Sequence, residues 1–232
     1  MTKLNALMAS IAEKRDRRIS GSTRMVSLLG PYQSDVDHAL EEMRDKKVMN
    51  RIWDHDYTVW GDDPDEITNR LGWLHSPETM ADAVSNIEAF VEEVRAEGYD
   101  RALLLGMGGS SLAPEVYRRV FGVKNGYLDL SVLDSTDPGA ILTRWDSLDP
   151  AKTLFIVSTK SGGTVETMSF MKYFYTRTVK ALGVEEGKRH FIAITDPGSG
   201  LASAARDLGF RKIFLNDPNI GCLLYTSPSP RD

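Results

Sequence analysis

The sequence predicts an α/β protein, a doubly wound, mostly parallel sheet preceded by an α-helical N-terminal segment. Three observations carry this reading. Beyond residue 99, five short apolar runs (102–105, 130–133, 154–157, 191–194 and 213–215) alternate with helix-length segments over 111–121, 138–146, 164–182 and 199–208. Strands alternating with helices of that length form right-handed βαβ units and pair in parallel. The runs are almost continuously apolar, as in strands covered on both faces. Before residue 98, in contrast, the apolar residues recur with the period of a helix.

In that leader, Met80, Val84, Ile87, Val91 and Val94 recur at spacings of four and three residues. Asp82, Glu88, Glu92, Glu93 and Arg95 lie elsewhere around the cylinder, so one helix is predicted over 77–98. Ser76 suits its N-cap, Pro77 its first turn and Gly98 its stop. A second helix is predicted over 34–52, with Val36, Leu40, Met43 and Ile52 inward. Leu4, Leu7, Met8 and Ile11 suggest a third, followed by Arg15, Arg17 and Arg18. This arginine group reads more readily as a solvated face or a helix C-terminal complement than as an anion site. The expected organisation is therefore a helical segment over 1–98, an α/β domain over 99–221, and a tail over 222–232. The tail, CLLYTSPSPRD, departs abruptly in composition and resembles the in-frame translation of a sequencing adapter; it is read as non-native.

Composition narrows the function. Of 232 residues, 41% are hydrophobic and 26% charged, and the net charge is −5. The acidity is spread along the chain, unlike the basic face of a nucleic-acid binder. No apolar stretch approaches the roughly 18 residues of a membrane span, and no signal-type leader is evident. The single cysteine, Cys222, excludes an internal disulfide framework. The expectation is a soluble, cytoplasmic protein whose partner is a small molecule, not nucleic acid or membrane.

Ligands of a doubly wound sheet bind beyond the carboxyl ends of its strands. The loops to read are thus 106–111, 134–137, 158–164, 195–199 and 216–221. The third is the most informative. Thr159, Ser161 and Thr164 offer hydroxyls, Lys160 offers a charge, and Gly162 and Gly163 let backbone N–H groups approach closely. A helix opening near Thr164 aims its N-terminal dipole into the same space, an assembly suited to a phosphate monoester. Glu166, in that helix's first turn, reads as a complement to the dipole more readily than as a base.

Other chemistries fit less well. GMGGSS imitates the dinucleotide fingerprint G-x-G-x-x-G, but Ser111 replaces the third glycine. Asp129 or Asp134 could stand for the ribose-binding acid, yet neither accounts for the 159–164 loop. No Walker string and no G-x-S-x-G elbow occurs. His38, His55, His75 and His190 are isolated, without metal-ligand spacing, and His55 between Asp54 and Asp56 reads as a packed or capping feature. Met168, Met171, Phe170, Tyr173, Phe174 and Tyr175 read as a core face. No cofactor or metal is expected.

LLLGMGGSSLAPEV resembles the first glycine-serine motif of the glucose-6-phosphate isomerase family, and FIVSTKSGGTVET resembles its phosphate-binding loop. LDSTDP and FLNDPNIG also fall where that family has strand-end loops, and RLGWL matches its leader more loosely. The resemblance covers residues 100–221 well and implies a sugar isomerase (SIS) type of fold. It makes Thr159, Lys160, Ser161 and Thr164 the cradle of a sugar 6-phosphate, with Gly109 and Ser110 at the sugar end. It further implies metal-free interconversion of glucose 6-phosphate and fructose 6-phosphate, in glycolysis and gluconeogenesis, by a homodimeric full-length enzyme. An acid/base pair opens the ring, then a glutamate moves a proton between C2 and C1 through a cis-enediolate that a cation stabilises. After NDPNIG the family continues with a glycine, an arginine and a hydroxyl-bearing segment, where this chain has Cys222 and two leucines. The arginine, the glutamate base and the ring-opening histidine and lysine are thus expected beyond Gly221. No catalytic residue is assigned within the chain, and the retained part is expected to bind substrate without turning it over. The alternatives are a non-catalytic SIS-domain sugar-phosphate sensor and part of a fused transaldolase and isomerase.

Overall fold

A computed structural model describes residues 29–221. The chain divides into two compact units, the first ending at Asp54 and the second starting at His55. In the first, α1 (Gln33–Asp45) and α2 (Val48–Trp53) take the place of the single helix predicted over 34–52. Lys47 adopts a left-handed backbone, φ 51°, and ends the run. Val36, Leu40 and Met43, expected inward, are exposed. The helix suggested by Leu4 to Ile11, the Arg15, Arg17 and Arg18 group, and the tail over 222–232 lie outside the described residues.

The second unit opens with 3-10 turns and two helices, α3 (Ser76–Ala81) and α4 (Val84–Ala96). The sheet follows: β1 (Arg101–Gly106), β2 (Asp129–Leu133), β3 (Thr153–Ser158), β4 (Phe191–Thr195) and β5 (Lys212–Leu215). Between the strands lie α5 (Gly109–Phe121), α6 (Pro138–Asp146), α7 (Val165–Leu182), the short α8 (Val184–Gly187) and α9 (Gly200–Asp207). All pairings are parallel and the strand order is β2-β1-β3-β4-β5. β2 lies on one side of β1 and all later strands on the other, so the order reverses between β1 and β3. That is the switch point, where connections leave in opposite directions and a crevice opens.

Strand alternation explains the double cover. From β3, Phe155 and Val157 face Phe170, Met171 and Phe174 of α7 and Leu201 and Ala205 of α9. Phe155 stacks on Phe191 with ring centroids 4.7 Å apart. From the same strand, Leu154 joins Ile192, Tyr99 and the α4 residues Phe90 and Val94 on the opposite face. Burying each such large side chain contributes roughly 1.5–3 kcal/mol. The stretch predicted as one helix over 77–98 is interrupted by a turn at Asp82–Ala83. Phe90 and Val94 are buried, while Met80 and Ile87 are exposed. Ser76 is the first helical residue, with His75 at the cap position.

The amino edge of the sheet is closed by charge. Arg211, just before β5, donates to Glu97 at 2.6–2.8 Å and also pairs with Glu93, tying β5 to α4. This donation holds the Glu97 carboxyl below the ordinary value of 4.5. At the opposite edge, Leu71 forms an antiparallel bridge with Ile220, and Gly72 N–H donates to the Asn219 carbonyl at 3.1 Å. No described helix is long and apolar enough to cross a membrane.

Candidate functional site

At the carboxyl edge of β1 and β3 lies an open cavity of about 930 Å³. Gly109 and Ser110 line it from the loop after β1, and Thr159, Lys160, Ser161 and Thr164 from the loop after β3. The six residues singled out in the sequence thus share one cavity. Their loops are brought together by register, since Gly106 and Ser158 pair as the last residues of adjacent strands. A Cβ on Gly106 would come within 3.2 Å of the Ser158 carbonyl, so the absence of a side chain permits that approach.

The two loops leave helix ends without a side-chain cap. α5 starts after Gly108, which sits at φ 55° and has no side chain with which to cap. α7 starts after Thr164, which occupies the N-cap position yet makes no capping hydrogen bond. Its hydroxyl lies instead 3.2 Å from that of Thr159. The first N–H groups of a helix need acceptors, and here their own N-cap side chains supply none. At α5, Ser110 and Ser111 N–H donate to the Met107 and Gly108 carbonyls at 3.2 and 3.0 Å, while the start of α7, with its dipole and the clustered hydroxyls, makes an arrangement that favours a tetrahedral anion.

The loop itself is firmly held. Ser161 Oγ accepts from Gly163 N–H at 3.1 Å, which leaves its own O–H to donate. The Lys160 carbonyl accepts from Asp196 N–H and from Thr195 Oγ1, both at 3.1 Å. Gly162 sits at φ 70°, and a Cβ there would fall 2.2 Å from the Leu201 nitrogen in α9. Only glycine fits.

Lys160 is placed differently from the other cradle residues. Its Nζ donates to Asp196 Oδ2 at 2.5 Å and to the Pro218 carbonyl at 3.2 Å, so it bridges the ends of β3, β4 and β5. Sequence reasoning missed Asp196 as a partner. It also missed Thr167, a cavity-lining α7 residue whose buried hydroxyl has no hydrogen-bond partner among the described residues. The only sequence signal for Asp196 was its place in the strand-end loop over 195–199, and the pairing becomes visible once the strand order is known. Glu166 is not among the cavity-lining residues. Of the histidines, His55 and His75 meet at 2.9 Å through their Nε2 atoms. His190 is buried, with Nδ1 3.0 Å from the Thr153 carbonyl.

A parallel α/β protein with two helix ends uncapped by side chains at its switch point is the class that fold and site define. Comparison with known proteins makes it particular. The family model for phosphoglucose isomerase matches residues 77–209. A glucose-6-phosphate isomerase of Carboxydothermus hydrogenoformans is 34% identical over 161 residues, covering 65% of this chain and 34% of the relative. One from Thermus thermophilus is 30% identical over 213 residues, covering 88% of this chain and 43% of the relative. Among solved structures, a hypothetical protein of Thermus thermophilus aligns with a TM-score of 0.62 at 26% identity, over 85% of this chain and 45% of that one. The chain belongs to the phosphoglucose isomerase family. It spans between about a third and somewhat under half of the length of these relatives.

Proposed function

We propose that this chain is the substrate-holding part of a glucose-6-phosphate isomerase, with the 6-phosphate in the cradle of Thr159, Lys160, Ser161 and Thr164 and the sugar end toward Gly109 and Ser110. The observation that carries this reading is the pair of uncapped helix ends, α5 and α7, meeting in one cavity with the 159 and 164 hydroxyls. A phosphate there accepts from the neutral hydroxyls and from the helix ends that no side chain caps, and the remaining volume accommodates a hexose. The α/β region from residue 99 onward acts as the sugar-phosphate domain in this proposal. The leader's α4 contributes cover for the sheet, and residues 222–232 contribute nothing to binding. Cytoplasmic residence and a homodimeric full-length form follow from the same reading.

The chain is proposed to bind without turnover. Moving a proton between C2 and C1 requires an unengaged carboxylate near the carbonyl. The two carboxylates lining the cavity are both engaged: Asp196 holds Lys160, and Asp217 accepts from the Asn219 backbone and side chain at 2.8 and 3.0 Å. Titration with glucose 6-phosphate, alongside an isomerase assay coupled to a dehydrogenase, tests both halves. Saturable binding displaced by inorganic phosphate, with no turnover, is expected. Absence of binding refutes the cradle, and rates typical of the relatives refute the division between binding and catalysis.

A further inference from the structure

Asp196 is nine-tenths buried yet only half satisfied. Its Oδ2 lies 2.5 Å from Lys160 Nζ, while its Oδ1 is buried without a hydrogen-bond partner among the described residues. A buried acceptor left unmade costs stability. Anchoring Lys160 does not require that cost, since a neutral acceptor holds an ammonium too, as the Pro218 carbonyl does. What a carboxylate adds over a neutral acceptor is charge. Lys160 and Asp196 line the same cavity, and together they are neutral. The other cradle groups, Thr159, Ser161, Thr164, Gly109 and Ser110, donate without net charge.

We propose that Asp196 is an affinity-limiting residue of the phosphate site, a proposal that rests on the phosphate reading above. Its carboxylate cancels the charge of Lys160, so the bound phosphate is held by hydroxyls, backbone N–H groups and helix dipoles and not by a full cation. A site of this kind discriminates by shape and hydrogen bonding, and it lets a dianion leave. Lys160 then has two roles: it tethers the strand ends, and it shields the incoming anion from the buried carboxylate.

The test is a double-mutant cycle on the 232-residue chain, with inorganic phosphate and glucose 6-phosphate titrated at low ionic strength. Asp196→Asn keeps the shape and an acceptor for Lys160 but removes the negative charge. It should tighten binding of both probes about 10-fold, and added salt should shrink the gain. Lys160→Met should weaken binding, because it leaves the carboxylate uncompensated. The double variant Lys160→Met/Asp196→Asn should return to within about 3-fold of the wild type, so the two changes oppose each other strongly. Binding by Asp196→Asn equal to or weaker than wild type would make Asp196 merely an anchor and overturn the proposal. So would a double variant as weak as Lys160→Met, and that comparison decides the matter if Asp196→Asn alone does not fold. A wild type that binds neither probe refutes the phosphate reading itself, an outcome distinct from a wild type that binds with the wrong order of variants.

Discussion

Four helices begin at the carboxyl edge of this sheet, and they fall into two pairs. After β2 and β4, the chain finishes its own helix ends: Asp137 accepts from Ala140 N–H at 2.8 Å, and Ser199 Oγ accepts from Ala202 N–H at 3.0 Å. After β1 and β3, Gly108 and Thr164 make no such bond. All four follow parallel strands of one sheet, and they differ in whether a side chain caps them. A helix end closed by its own side chain is architecture. A helix end without a side-chain cap beside a cavity can face a bound anion, and here two such ends adjoin one cavity.

The comparison can be broken or sharpened experimentally. The largest effect is expected at Gly162, where the loop after β3 abuts α9. Gly162→Ala combines a positive φ with a backbone clash and should destabilise by about 3 kcal/mol or more, read from urea unfolding. A loss below about 1 kcal/mol would show that the two loops are not locked together. Next comes ligand linkage: glucose 6-phosphate at a hundred times its Kd should raise stability by about 2.7 kcal/mol. Thr159→Val/Thr164→Val should abolish most of that gain, and an equal gain in the variant would place the ligand elsewhere.

Capping variants give a smaller, opposed pair of effects. Asp137→Ala should cost about 1 kcal/mol with or without phosphate. Thr164→Ala should change stability by less than about 0.5 kcal/mol while weakening phosphate binding. Equal stability losses would erase the distinction between the two classes of helix end. The smallest effect lies at the amino edge. Because Arg211 depresses the Glu97 carboxyl, that pair stabilises the fold fully above about pH 4.5 and loses its contribution as pH falls through the lowered value. Glu97→Gln should flatten the acid limb of the stability profile, and phosphate should leave the difference between the two proteins unchanged.

The strands were legible because each is a nearly unbroken apolar run bounded by polar loops, and the loops after them were legible as ligand positions once the sheet was taken as parallel. Helix breaks were not. Nothing at Asp82–Ala83 announces one, since neither glycine nor proline is present, and the stripe at spacings of three and four runs through the turn. The cradle hydroxyls could be named from their loop alone. The partnership of Lys160 with Asp196 could not, because it joins residues 36 positions apart through the adjacency of β3 and β4.

The bridge between Leu71 and Ile220 has a consequence for how the chain is made. Leu71 is wholly buried, yet its bridged partner is translated about 150 residues later, and closing so long a loop costs only slightly more entropy than closing a shorter one. On the ribosome, therefore, this bridge cannot form until β5 and its following loop have emerged. A nascent chain stopped short of residue 216 lacks both this bridge and the hydrogen bond from Gly72 to Asn219 beside it, so the segment before α3 has no partner from the loop after β5.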